Sequence, residues 1–552
     1  LFLLIIIGDV RFLKVITNSS IGGLLFGILL TLLIFDLNLH LNIGLDLFFR
    51  LSLFNFLTYG LVIIIISIII FYIYDFFSAR EVKISFFSPD YLIISFSLYS
   101  LLFAQIFWSN FKYYYHFFSK SFSDTIKIQL VVILFLGISG LIFYLFYYYY
   151  RKKIILLIYF ILFILIFPSP FLLRIKYNPP IPKKEVSSLN PIKLTKKVNI
   201  ICLEGLSLEF LVPFASEGKL PNFNWIMENG SWGILKSFTP CQPIIYYNSF
   251  LTGKYPYKHS VFSNYLYNFY NIKTPFLVLP RYIFMHQLKR INLLKISIAD
   301  LKRQTKNIID ILNENNTPII NLSWGEKLDY LSTKNIIEIP LFFEDFKKDN
   351  SIHGKFVRNI LKTDLIKERK ALKLKESVNP YLFILSLDGL KKIVIHFYQY
   401  SKPEFFGNVS HEDVIKYGKI IEKYYLFYDQ IIGKYLSSLR DNELLIIFSP
   451  HGLEPLPLWK RILNCMLNVK NVSAHYENAP EGVILFYGSD VAKGENIEDM
   501  RIIDIVPTIL YYYGFPIGKD MDGTVIKSIF KEEFRSENPV IFISSYDEIS
   551  IK

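Results

Sequence analysis

Five apolar stretches crowd the first 173 residues, and nothing else in the chain limits its fold as strongly. A helix needs about 20 residues to cross a bilayer. The runs near Ile21–Phe35, Leu51–Tyr74, Tyr91–Trp108, Ile128–Tyr149 and Ile154–Phe167 reach or approach that length, the first and fifth by borrowing flanking residues. Five such runs without amphipathic relief argue against buried helices of a soluble domain, and a mean hydropathy of +0.35 over 552 residues agrees. The membrane is the first partner the sequence implies.

Lys and Arg in short loops favour the cytoplasmic side. Arg151-Lys152-Lys153 separates the fourth and fifth runs, and Arg80 and Lys83 follow the second. With both loops in the cytoplasm, the fifth run exits outward and the large C-terminal part is expected outside the cytoplasm. Lys112, Lys120, Lys127, Arg174 and Lys176 would then lie outside as well, against the same rule. Asp36, Asp46 and Asp75 fall near the ends of runs and no acid–base pair stands out within them, which fits an anchor better than a transport path. The sequence starts at Leu1 rather than Met, and a preceding segment would change the span count.

The texture changes after residue 176. Asn178-Pro-Pro-Ile-Pro182-Lys-Lys, Ser187-Ser188 and Pro191 read as a stiff polar linker over 177–197. Beyond it, alternating segments predict a mostly parallel sheet with helices on both faces. Strands are expected at 198–203, 233–237, 318–324, 393–398, 444–448 and 482–487, and helices at 206–228, 244–252, from 308, and 420–439. The net charge of +13 raises a nucleic-acid partner, yet the basic residues are scattered among Asp and Glu with no basic face, which argues against one. Cys202, Cys241 and Cys465 form no disulfide or metal framework.

Val198-Asn-Ile-Ile-Cys-Leu-Glu204-Gly205 is a buried-strand pattern that delivers a carboxylate to the carboxyl edge of a sheet, where ligands of open sheets bind. Leu220-Pro-Asn222 through Gly230 follows, then Ser249-Phe-Leu-Thr252-Gly253 with Pro256 and His259. Ser449-Pro-His451-Gly452 comes next, and the series ends with Asp504-Ile-Val-Pro507-Thr508-Ile-Leu510, Gly514 and Asp520-Met-Asp522-Gly523. In this order the chain resembles the alkaline phosphatase superfamily, most closely its type I phosphodiesterase/nucleotide pyrophosphatase branch. The resemblance implies an alkaline-phosphatase-like α/β domain over 198–535, with 262–380 partly a variable insertion and 536–552 a tail.

The resemblance also implies two metal ions and a Thr or Ser nucleophile acting on phosphoesters. Six residues before Ser249 the nucleophile position holds Pro243, which has no hydroxyl, and Cys241 is the nearest substitute. Cys241-Gln-Pro243 resembles the C-x-P of sulfatases, but out of register. The strand-end Asp is Glu204. The D-x-x-x-H pair maps onto Tyr400 and Glu404, the "SDHG" Asp is Pro450 while its His remains as His451, and the last His matches His475. Glu204, Glu404, His451 and His475 are thus the residual metal ligands, with His411, Glu412 and Asp413 nearby. Such a set suits no metal or a single zinc-like divalent ion, and not a pair. Each member also has an ordinary structural role open to it, as Glu204 has in accepting helix N-terminal amides.

Two functions follow as expectations. One is a membrane-anchored binding or regulatory protein with a degenerate hydrolase site. The other is an active metal-dependent phosphodiesterase or phosphoryl-group transferase acting on envelope lipid or glycan phosphoesters, because five spans ahead of such a domain resemble the layout of lipid-linked phosphotransferases of the superfamily.

Overall fold

A computed structural model describes residues 10–78, 82–177, 187–281, 285–298, 303–323, 340–347, 349–407, 409–467, 469 and 471–551. The chain forms two compact units, one of Leu1–Pro182 with Phe262–Leu301, the other of Lys183–Val261 with Lys302–Lys552. The Pro-rich core of the expected linker, 178–186, lies outside the described residues, as do Arg80 and Trp324.

The first unit holds five helices long and apolar enough to cross a membrane: α1 (Val10–Leu37), α2 (Leu45–Phe77), α3 (Pro89–Tyr113), α4 (Lys120–Tyr150) and α5 (Lys153–Lys176). Each contains one of the expected runs and extends it at both ends. Helix α1 is the most buried of the five. Its Gly23 and Gly27, one turn apart, lie against a π-turn in α2, Phe56–Gly60. A Cβ at Gly23 would come within 2.8 Å of the Gly60 carbonyl oxygen, and one at Gly27 equally close to the Phe56 nitrogen. Small residues at four-residue spacing let helix backbones meet in this way.

The buried Asp36 carboxylate lies 3.8 Å from Arg174, and Gln129 donates to it at 3.4 Å. This acid–base pair was not visible in the sequence because its members are 138 positions apart. Arg174 also donates to the Phe35 and Asn38 carbonyls, so it caps the buried C-terminal end of α1. The Phe262–Leu301 segment, expected within the 262–380 insertion, groups with these helices, whereas the part from Lys302 onward groups with the sheet. Its hairpin, Tyr265–Phe269 with Leu294–Ile298, brings Phe269, Phe276 and Leu279 into one apolar cluster with Leu51 and Phe54.

The second unit is built on seven strands: β1 (Lys197–Leu203), β2 (Ser231–Lys236), β3 (Ile319–Leu322), β4 (Leu382–Leu387), β5 (Glu443–Ser449), β6 (Gly482–Tyr487) and β7 (Glu495–Arg501). Their order is β7-β2-β6-β5-β1-β4-β3. Strand β6 runs antiparallel to both neighbours and the other ladders are parallel. The expected mostly parallel sheet is therefore present. Strands β1, β4 and β5 are buried along their whole length, as strands covered on both faces must be.

The helices that cover the sheet are α6 (Leu208–Ser216), α7 (Pro221–Asn229), α8 (Pro243–Thr252), α9 (Ile352–Val378), α10 (Gly389–Ser401), α11 (Ile420–Ser437) and, after the surface helix α12 (Leu458–Met466), α13 (Ile505–Tyr513). The single helix expected over 206–228 is two, because Gly218 takes a left-handed conformation and Pro221 starts a new helix. The strand expected at 393–398 is a larger correction. Those residues lie inside α10, and the strand is β4, which precedes it. The run Ile393-Val-Ile has β-branched composition, but its apolar side chains Leu390, Ile393, Val394 and Phe397 repeat at helical spacing and are buried.

The C-terminal Asp-Met-Asp-Gly motif fastens the turn after α8. The Asp522 and Gly523 amides donate to the Gly253 carbonyl, and the Asp522 carboxylate accepts from the Tyr255 amide and from Lys258. Buried Lys254 is held between Asp520 and Asp547.

Gly205, at the end of β1, has φ +93°, and a Cβ there would approach Lys391 Cα of α10 to 2.7 Å. Both effects penalise any side chain. Gly205→Ala is expected to lower stability by about 3 kcal/mol, the sum of left-handed strain and overpacking. Denaturant unfolding of the full chain in detergent, followed by tryptophan fluorescence, measures it.

Candidate functional site

Register alone brings two acidic residues together. Leu203 of β1 pairs with Leu387 of β4, so the next residues, Glu204 and Asp388, stand side by side at the carboxyl edge. The Glu204 amide donates to the Leu387 carbonyl at 3.0 Å, which fixes this level. Strand β5 lies on the other side of β1 and ends at Ser449. The Ser449 hydroxyl accepts from the Gly205 amide and donates to the His451 carbonyl, tying the Ser-Pro-His-Gly turn to the same edge.

Two like charges on adjacent strands repel unless each is compensated. Both are compensated by lysines from the first turn of α10. Lys391 makes an ion pair with Glu204, the lysine nearly and the carboxylate fully buried. Lys392 pairs with Asp388 at 2.8 Å, one turn away on the same helix. Burial alone pulls the Lys391 ammonium down, but the Glu204 carboxylate outweighs it and holds the group above its ordinary value. The close approach at Gly205 is what seats Lys391 here.

Aromatic rings enclose this pair. Lys391 Nζ lies 5.7 Å from the centre of the Tyr476 ring. Tyr476 stacks on His451 with centroids 4.3 Å apart, and Tyr246 of α8 meets His451 edge-on at 6.0 Å. His451 is fully buried, and burial drives its pKa down to about 3, so the ring is neutral. Its Nδ1–H donates to the Gly452 carbonyl at 2.9 Å, leaving the Nε2 lone pair with no hydrogen-bond partner among the described residues.

Pro243 is the first residue of α8. Its ring occupies the helix start with neither a hydroxyl nor an N–H to offer a phosphoryl group. Cys241 is buried, and burial pushes its thiol up to about 12, so at neutral pH it is protonated and weakly nucleophilic. Glu404 is exposed on the short turn Pro403–Phe405. His475 is buried in a two-stranded ribbon, Ala474–His475 with Glu454–Pro455. His411 and Glu412 are exposed at the start of a short helix, and Asp413 follows them there.

The structure thus brings Glu204 and His451 into one neighbourhood and leaves Glu404 on the surface. Among the described residues, no three His, Cys, Asp or Glu side chains are grouped as a metal ion requires. The placement of the D-x-x-x-H pair on Tyr400 and Glu404 is corrected: Tyr400 lies buried near the end of α10, a full helix beyond the strand. The acid that follows a strand is Asp388, and four residues on stands Lys392. Sequence reading missed Asp388 and Lys391, although Leu387-Asp-Gly389 repeats the Leu203-Glu-Gly205 pattern of β1.

The model of the type I phosphodiesterase/nucleotide pyrophosphatase family matches residues 198–500, more than half of the chain. The chain belongs to that family. No curated protein matches it. The family implies metal ions at this edge, and the donor set does not fit them: one carboxylate is bound to a buried ammonium, the other to a second lysine, and the helix that would present the nucleophile begins with proline. In this phosphodiesterase-family domain Lys391 and Lys392 are the side chains paired with the two edge carboxylates.

Removing Lys391 leaves a buried carboxylate without its partner. Lys391→Met is expected to cost about 3–5 kcal/mol, and Glu204→Gln added to it to recover a large part. Thermal melts of the full chain in detergent compare the two.

A third carboxyl near the edge reports on pH. Burial and then the Asp388 charge raise Asp364 to about 6, while the Tyr424 and Tyr428 hydroxyls donate to it at 2.8 and 2.9 Å. A carboxyl raised in the folded state stabilises most below its ordinary pKa, and that contribution is lost as pH rises through about 6. Asp364→Asn is expected to remove roughly 3 kcal/mol of this pH dependence between pH 4 and 7, read from denaturant midpoints across that range.

Proposed function

We propose that this protein is a membrane-anchored member of the type I phosphodiesterase family that has given up two-metal hydrolysis and serves a binding or regulatory role at the cell envelope. The observation that carries this reading is the buried Glu204–Lys391 pair. A lysine ammonium holds the carboxylate that a metal-dependent relative needs free, and neutralises it without any ion. Pro243 at the start of α8 and the protonated Cys241 thiol remove the obvious nucleophiles in the same region. Metal analysis and turnover of a chromogenic phosphodiester test the reading together. The expected result is fewer than about one zinc-like ion per chain and no hydrolysis. Two tightly held ions, with hydrolysis that disappears in His451→Ala, would overturn it.

The second reading is an active metal-dependent phosphodiesterase or phosphoryl-group transferase on envelope lipid or glycan phosphoesters. One observation favours it: the neutral, buried His451 ring keeps an Nε2 lone pair of the kind a metal ion uses. It requires Lys391 to leave Glu204, and the same metal analysis separates it from the first.

In either reading we place the C-terminal domain outside the cytoplasm, on the strength of the Arg151-Lys152-Lys153 loop between α4 and α5. Ser216 is exposed at the end of α6. A Ser216→Cys, Cys465→Ser chain is expected to react with a membrane-impermeant maleimide on intact cells. Reaction only after lysis would reverse the orientation.

A further inference from the structure

Helix α12 is built inside out. Leu458, Trp459, Ile462, Leu463 and Met466 fall on one face at positions i, i+1, i+4, i+5 and i+8, and this face points to solvent. Leu458 is 64% exposed, Trp459 54%, Ile462 53% and Met466 79%. The polar residues Lys460, Arg461 and Asn464 are the partly covered ones. Lys460 pairs with Glu477, and Arg461 donates to the Phe406 carbonyl and lies over its ring. No residue of the helix is buried, and exposed Leu467, Val469 and Val472 extend the apolar surface beyond it. Water is a poor neighbour for such a face, so a soluble helix normally turns it inward.

We propose that α12 is an interfacial element that lies on the lipid surface of the chain's own membrane, apolar face down. Two observations select lipid as the occupant. The chain carries five membrane-length helices, so a bilayer is always its neighbour. Residues 456–473 contain no acidic side chain that anionic headgroups would repel, and Trp459, on the exposed face, is the residue type that favours the headgroup region. Because the chain is already tethered to that surface, its effective concentration there is high and a modest apolar face suffices. The segment sits between His451 and His475, so lipid contact there would hold the candidate site's rim against the bilayer.

The chain supplies its own probe. Cys465 is exposed on α12, while Cys202 and Cys241 are buried. A nitroxide on Cys465 of the full chain, in vesicles of one part phosphatidylglycerol to three parts phosphatidylcholine, is expected to collide with oxygen at least about fivefold more than with a water-soluble nickel chelate, as for a lipid-facing site. A label at Ser216→Cys in a Cys465→Ser chain is expected to show the reverse preference. Ile462→Asp with Leu463→Asp, both at exposed positions, is expected to return the Cys465 label to the behaviour of the Ser216 label without shifting the thermal melt. The proposal fails if the Cys465 label favours nickel in vesicles or ignores the two aspartates. It also fails if the label is shielded from both reagents with dipolar broadening between labels, because a second copy of the chain would then cover the face.

Discussion

The ion pair between Glu204 and Lys391 is the interaction on which the C-terminal domain's carboxyl edge depends. Parallel pairing of β1 with β4 forces two acidic residues to the same level, and a sheet cannot bury one of them without a counter-charge. Most proteins of this kind of fold leave such an edge open for ligands. Here the first turn of α10 supplies two ammonium groups, and the glycine after Glu204 lets that turn come close enough to deliver one. Stability and chemistry are coupled at this point: what neutralises the edge also occupies its carboxylate.

The surrounding groups pack closely about this pair. Tyr246, Tyr476 and His451 pack round the lysine, Ser449 ties the neighbouring turn back to the strand end, and the Asp-Met-Asp-Gly loop clamps the far end of α8. Two of the family motifs, Ser-Pro-His-Gly and Asp-Met-Asp-Gly, thus secure backbone at the two ends of this region.

Much of the architecture was legible in the sequence, for physical reasons. The spans, β6 and α8 are bounded by signals of their own: long apolar runs, a glycine before Val483, a proline at the helix start and Gly253 at its end. Strand β4 was not legible, because Leu382–Leu387 and Ile393–Tyr398 are both short apolar runs, and the second has the more strand-like composition. Only the helical spacing of its buried residues separates them. That slip moved the expected D-x-x-x-H positions from Asp388 and Lys392 to Tyr400 and Glu404. The Lys391 partnership was hidden for a different reason, since nothing in a one-dimensional pattern reveals that residues 187 positions apart share a level in a sheet. Asp36 and Arg174 were missed in the same way.

The excursion at Phe262–Leu301 has a consequence for anyone who divides this molecule. The chain leaves the sheet domain after Val261, adds a hairpin to the membrane helices, and returns near Lys302. A fragment starting at Lys183 would therefore carry Phe269, Phe276, Leu279 and Leu294 with none of the α1 and α2 side chains that cover them. Such a fragment would be born sticky, and the visible domain boundary in the primary structure is a poor place to cut.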